Sequence, residues 1–118
     1  MHTSSAKAKG RRLQQHVRDL ILKYSTNLTE DDVRSTSMGA GGEDVQLSTE
    51  ARKQYPISIE CKSKASYAFY KDYSQATTNA PTGTEPILVC KANHKPVVVI
   101  VDADWFFKHF QKGFSDER

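Results

Sequence analysis

The chain is 118 residues long, with a formal net charge of +3 and a sequence pI of about 8.9. That length predicts one domain with a small but real core. No apolar run reaches the roughly 18 residues of a membrane helix, and the polar N-terminus lacks a signal-peptide core, which predicts a soluble cytoplasmic protein without a membrane partner. Cys61 and Cys90 lie among apolar residues without zinc-ligand spacing, so we expect free buried thiols.

The N-terminal third is expected to form a helix and a short strand. Helical periodicity begins at about residue 6 or 11, and the predicted buried stripe comprises Leu13, Val17, Leu20, Ile21 and Tyr24, where the helix ends. A strand is expected over residues 32–37. The glycine-rich segment 38–42 follows, and it either lets a phosphate backbone come close or only forms a turn.

The remaining elements follow from residue periodicity and turn signals. We expect strands over 43–48, 56–64, 87–91 and 96–101, and helices over 66–78 and 105–111, with the connection 48–55 and a turn at 92–95. The apolar run 97–101 is expected to be covered on both faces, and Asp102 or Asp104 is expected to cap the last helix. Residues 1–6 and 114–118 are expected to be flexible. The order α-β-β-β-α-β-β-α predicts a single-domain α/β fold with a mixed central sheet flanked by helices.

The strongest functional signal lies in the predicted hairpin of segments 43–48 and 56–64. The antiparallel register that places Val45 opposite Ile59 also places Asp44 opposite Glu60, while Lys62 points to the same face. Cross-strand partners lie about 5 Å apart at Cβ, where two carboxylates repel each other. The alternative is an ordinary exposed Glu-x-Lys pair.

A divalent cation between the two carboxylates would remove their repulsion. Mg²⁺ binds one or two carboxylates together with phosphate oxygens of a substrate, and Mn²⁺ is expected to substitute for it. Lys62 could then orient a water or offset the charge that develops on the phosphate. The pattern therefore predicts a metal-dependent nuclease site.

Basic residues are concentrated in the N-terminal segment, which suits a polyphosphate backbone, although a solvated helix face is the alternative. The expected DNA contacts are Lys9, Arg11, Arg12, Arg34, Lys64 and Lys71.

Taken with the order of elements, these residues resemble the PD-(D/E)XK nuclease superfamily, and more narrowly the small phage and archaeal Holliday junction resolvases. Asp44 matches the first acidic position, Glu60 the second and Lys62 the lysine, within an αβββαβ core that spans about residues 9–104. The proline of the motif is absent, because Glu43 precedes Asp44.

The resemblance implies a restriction-endonuclease-like fold and a role for each matching residue. Asp44, Glu60 and the backbone carbonyl of Cys61 would hold Mg²⁺, and Lys62 would position the attacking water. Gln14, or its neighbour Gln15, stands where resolvases commonly place a metal-binding Glu. Gln75 resembles an accessory catalytic position, with a surface amide as the alternative.

The function expected from the resemblance is structure-selective cleavage of four-way junctions or other branched DNA, by symmetric nicking as a homodimer. Two symmetric cuts need two sites related by a two-fold axis, which a dimer supplies. No small-molecule cofactor is expected, and a phage-encoded protein would act inside a bacterial host cell. The alternatives are another PD-(D/E)XK nuclease of repair, restriction or packaging type, or a non-cleaving DNA-binding module.

Overall fold

The computed structural model describes residues 3–36 and 42–116. Nine elements follow in chain order: α1 (Thr3–Tyr24), β1 (Val33–Ser35), β2 (Val45–Leu47), α2 (Thr49–Gln54), β3 (Ile57–Ser63), α3 (Phe69–Asn79), β4 (Glu85–Lys91), β5 (Val98–Ile100) and α4 (Ala103–Asp116). The predicted order of elements is confirmed, with α2 added. Residues 3–6 belong to α1 and residues 114–116 to α4, and residues 1–2 and 117–118 lie outside the described residues. The flexibility expected at the two ends stays a prediction.

The five strands form one sheet in the order β1-β2-β3-β4-β5. The β3–β4 pair is parallel, and the other three pairs are antiparallel. A parallel pair needs a crossover connection, which α3 supplies. The prediction of an α/β fold with a mixed sheet flanked by helices is therefore confirmed.

Helices α1 and α3 lie on opposite faces of the sheet. The α1 face holds the main core, in which the buried residues are Leu13, Val17, Ile21, Val33, Val45, Ala51, Ile59, Cys61, Ile87 and Val89. Because side chains alternate along a strand, Glu60 and Lys62 of β3 point to the other face, where Asn79 of α3 contacts Glu60. Both cysteines are free and buried, as predicted. Tyr24, expected in the buried stripe, is instead 72% exposed.

Helix α2 occupies the segment predicted to be a plain connection. Its N-cap is Ser48, whose hydroxyl accepts a hydrogen bond from the backbone N–H of Ala51 at 3.1 Å, and Ala51 is fully buried. Six residues are too few to produce a clear helical period, so the capping serine was the available signal.

Strand β5 is not covered on both faces, contrary to the prediction. Val98 and Val99 are 47% and 54% exposed, and β5 lies at an edge of the sheet, paired with β4 on one side. An apolar run indicates that the side chains of a strand favour burial, but it does not show which element would bury them. Helix α4 follows, and Asp102 caps it by accepting a hydrogen bond from the Trp105 N–H at 2.9 Å.

Residues 37–41, which contain most of the glycine-rich segment, lie outside the described residues. Gly42 is described, and its φ of 87° is in the left-handed region that favours glycine. Across residues 3–36 and 42–116, no helix combines the length and apolar character needed to cross a bilayer.

Candidate functional site

The predicted hairpin register is confirmed at its centre. Val45 of β2 lies opposite Ile59 of β3, which places Asp44 at the level of Glu60. The predicted strand 43–48 is shorter than expected, because β2 begins at Val45. Asp44 therefore lies just before the strand, where its N–H donates to the Ile59 carbonyl at 2.9 Å.

The Asp44 side chain is fixed against the backbone of β3. Its Oδ2 accepts a hydrogen bond from the N–H of Cys61 at 2.8 Å. Burial raises the pKa of Asp44, while the Cys61 N–H and the positive charge of Lys62 act in the opposite direction. The carboxylate is thus held in a position where its charge is not fully stabilised.

Glu60 is the more buried of the two carboxylates, with only 4% of its surface exposed. Asn79 donates to its Oε1 at 3.2 Å, and the Lys62 Nζ lies 3.8 Å from its Oε2. Burial raises the pKa of Glu60 and the negative charge of Asp44 raises it further, against the smaller effects of Asn79 and Lys62. Two carboxylates and one ammonium group therefore meet beside the middle of β3, with net negative charge.

This set of donors fits a hard cation such as Mg²⁺ that keeps several waters and binds substrate phosphates. It does not form a closed protein cage. Within the described ranges, no group of three or more His, Cys, Asp or Glu residues is placed to hold a metal ion. The contact seen for Cys61 involves its N–H, and a role for its carbonyl stays a prediction.

The two glutamines predicted for the site lie in different surroundings. Gln14 is 3% exposed on the α1 side of the sheet, where the Ser35 hydroxyl donates to its Oε1 at 2.8 Å. Gln75 is exposed on α3. The amide that reaches Glu60 is Asn79, one helical turn beyond Gln75, and the sequence did not reveal it because the helix was expected to end at residue 78.

A second unpredicted contact precedes Asp44. Glu43, at the position of the missing proline, is 9% exposed and forms a two-pronged ion pair with Arg52 of α2. Arg52 also donates to the Ile57 carbonyl at 2.6 Å. Arg52 belongs to α2, Glu43 lies just before β2, and Ile57 begins β3. The side chain of Arg52 therefore links these three parts of the chain by an ion pair and a hydrogen bond. Bidentate pairing of this kind is geometrically specific, so Arg52 helps to position Asp44.

The predicted DNA contacts are spread over separate surfaces. Lys9 and Arg12 line one groove, and Arg11 and Arg34 line another. Lys71 is exposed on α3. The Lys64 Nζ lies 3.0 Å and 2.7 Å from the two carboxylate oxygens of Asp72, which is 5% exposed, so this lysine has a structural partner.

No family model, curated protein or solved structure matches this chain. A functional assignment therefore has to rest on the geometry of Asp44, Glu60 and Lys62.

Proposed function

We propose that this chain is a Mg²⁺-dependent endodeoxyribonuclease of the PD-(D/E)XK type that resolves four-way junctions or other branched DNA. The observation that carries the proposal is the meeting of Asp44, Glu60 and Lys62 beside the middle of β3. Their charges do not balance, and the pKa values of both carboxyl groups are raised. A purely structural pair gains nothing from such an arrangement, whereas a bound cation would offset the excess negative charge.

Each residue has a distinct task in the proposed reaction. Asp44 and Glu60, with the carbonyl of Cys61, would hold Mg²⁺ or Mn²⁺, and the ion would supply Lewis-acid stabilisation of charge on the phosphate. Asn79 orients the Glu60 carboxylate through its hydrogen bond. Lys62 places its ammonium group beside the carboxylates, where it can hold a water in line with the phosphorus atom. As the resemblance implies, hydrolysis would leave a 5′-phosphate and a 3′-hydroxyl.

The proposed enzyme acts as a homodimer, because resolution requires two cuts related by a two-fold axis. An exposed apolar surface, the β5–α4 surface, is available for such contact. It comprises Val98, Val99, Phe106, Phe107 and Phe110, which are between 44% and 68% exposed. Its edge strand can pair with the same strand of a second copy. A monomer in sedimentation experiments, with and without DNA, would contradict this part of the proposal.

Two alternatives differ in what they predict. A nuclease of the same superfamily with a repair, restriction or packaging role would use the same three residues but would cut linear duplex as well as branched DNA. A non-cleaving DNA-binding module would bind DNA without hydrolysis. The unbalanced carboxylates argue against the module, because uncompensated negative charge weakens DNA binding.

A single experiment separates these possibilities. A labelled four-way junction and a linear duplex of the same sequence are incubated with the protein in Mg²⁺ and, separately, in EDTA. The proposal predicts paired nicks near the branch point, in Mg²⁺ only. Equal cleavage of both substrates would favour the general nuclease, and binding without cleavage would favour the module.

A further inference from the structure

A basic groove runs between α1 and the ends of β3 and β4. Its volume is about 320 Å³, and its lining residues are Lys9, Arg12, Leu13, His16, Ser63, Lys91, Asn93 and Val97. Lys9, Arg12 and His16 recur at intervals of three and four residues, so they occupy one side of α1. The helix thus presents a row of basic groups to the end of the sheet.

The opposite wall of the groove is formed by the last residues of β3 and β4, whose side chains point toward α1. Ser63 and Lys91 are partners in the parallel β3–β4 register. They belong to the same face as Cys61 and Val89, which lie in the core beneath α1. Lys91 therefore adds a third permanent cation to those of Lys9 and Arg12.

The groove differs in charge from the other side of α1. None of the residues lining the groove is acidic, and Lys9 and Lys91 have neutral oxygen partners, Asn93 Oδ1 at 3.5 Å and the Ala92 carbonyl at 2.7 Å. On the other side, acidic groups offset the basic ones: Arg18 lies 3.1 Å from Asp19, Arg34 lies 3.6 Å from Asp31, and Glu30 lines the adjacent groove. The groove is therefore the stronger attractor for a polyanion.

The groove also lies close to the candidate catalytic residues. Ser63 directly follows Lys62, so the two occupy the same end of β3 on opposite faces of the sheet. A nucleic-acid strand that crosses the ends of β3 and β4 can contact both.

We propose that this groove binds the phosphate backbone of DNA, and that it holds a phosphate near the cleaved bond. The position of the bound phosphate relative to the cut rests on the proposed nuclease function, whereas the binding itself does not. Lys9, Arg12 and Lys91 supply the charge, and Ser63 and Asn93 supply hydrogen-bonding groups beside it.

The test measures DNA binding without cleavage. Affinity for a four-way junction is determined in EDTA at several salt concentrations for the wild-type protein, Arg12→Ala, Lys91→Ala and the double variant. Each lost phosphate contact should reduce the slope of log affinity against log salt by about 0.9, and the double variant should therefore lose about two units. Lys53→Ala is the matched control, because this exposed lysine on α2 lies at the opposite end of β3, about 20 Å away.

The outcomes test the proposed DNA-binding groove independently of the proposed nuclease activity. Reduced slopes for Arg12→Ala and Lys91→Ala, with an unchanged slope for Lys53→Ala, support the groove even if the wild-type protein cuts no DNA. An unchanged salt slope in the double variant overturns the proposal that DNA binds in the groove, even if the wild-type protein cuts junctions. An equal loss in Lys53→Ala would show general charge attraction and would also overturn it. Thermal unfolding of each variant confirms that the fold is retained, and Arg12→Gln, which keeps a polar side chain at an exposed position, replaces any unstable Arg12→Ala.

Discussion

Replacing Glu60 by glutamine should stabilise the protein at neutral pH, although it removes one partner of an ion pair. Repulsion from Asp44 and attraction to Lys62, whose Nζ lies 3.8 Å from the Glu60 Oε2, are each on the order of 4 kcal/mol at an effective dielectric constant of 20, and the repulsion is the larger of the two. These effects nearly cancel. Burying the charge costs several kcal/mol, against about 1.5–3 kcal/mol from the Asn79 hydrogen bond. We therefore expect Glu60→Gln to raise the free energy of unfolding by about 1–2 kcal/mol, and the Tm by roughly 3–8 °C.

The pH dependence of this gain tests its cause. Because the pKa of Glu60 is raised in the folded protein, the folded state binds its proton more tightly than the unfolded chain does. Wild-type stability therefore falls as pH rises from the ordinary glutamate value of about 4.3 through the raised pKa. The advantage of Glu60→Gln should grow as the pH rises above about 4.3 and should disappear near pH 4.

Urea unfolding at pH 7 and at pH 4 measures the effect. Glu50→Gln is the control, because Glu50 is 66% exposed and forms a comparable i,i+3 pair with Lys53 at 3.2 Å; it should leave the midpoint nearly unchanged. A loss of stability for Glu60→Gln at pH 7, or a gain that persists at pH 4, would refute the reasoning that charge repulsion and burial strain this site.

Three further predictions follow from the same geometry. At about 100 times its Kd, Mg²⁺ should raise the unfolding free energy of the wild-type protein by about 2.7 kcal/mol, and it should have little effect on Asp44→Asn in the same urea titration. Lys62→Ala should lower the single-turnover cleavage rate by about 10²–10³ with an unchanged circular dichroism spectrum; a near-normal rate would remove its catalytic role. Lys64→Ala should lower stability in urea by about 1–3 kcal/mol, because it leaves the buried Asp72 carboxylate without its cation, whereas Lys71→Ala, at an exposed position on α3, should not; equal effects would contradict the structural role of Lys64.

The pairing of β2 with β3 could be predicted because the alternation of apolar and polar residues is compatible with one register. Placing Val45 and Ile59 in the core fixes the register, and a slip of one residue would turn every side chain to the wrong face. The same constraint brings Asp44 and Glu60 to the same level, so the pairing of the two carboxylates follows from the residue pattern.

Contacts between distant segments could not be predicted in the same way. The Glu60–Asn79 hydrogen bond depends on where α3 ends and how it lies across the sheet, and neither follows from local periodicity. The Glu43–Arg52 pair depends on α2, which is too short to leave a periodic signal. The prediction for strand β5 was wrong for a related reason, because an apolar sequence does not distinguish a covered strand from one that offers an exposed surface.

The most direct test of the proposed function is single-turnover cleavage of a four-way junction by the wild-type protein and by Asp44→Asn, each in Mg²⁺ and in EDTA. We predict paired nicks by the wild-type protein in Mg²⁺ only, and no cleavage by Asp44→Asn, which should still bind the junction because a negative charge near the DNA has been removed. Cleavage by Asp44→Asn at the wild-type rate, or cleavage by the wild-type protein in EDTA, would contradict the proposal.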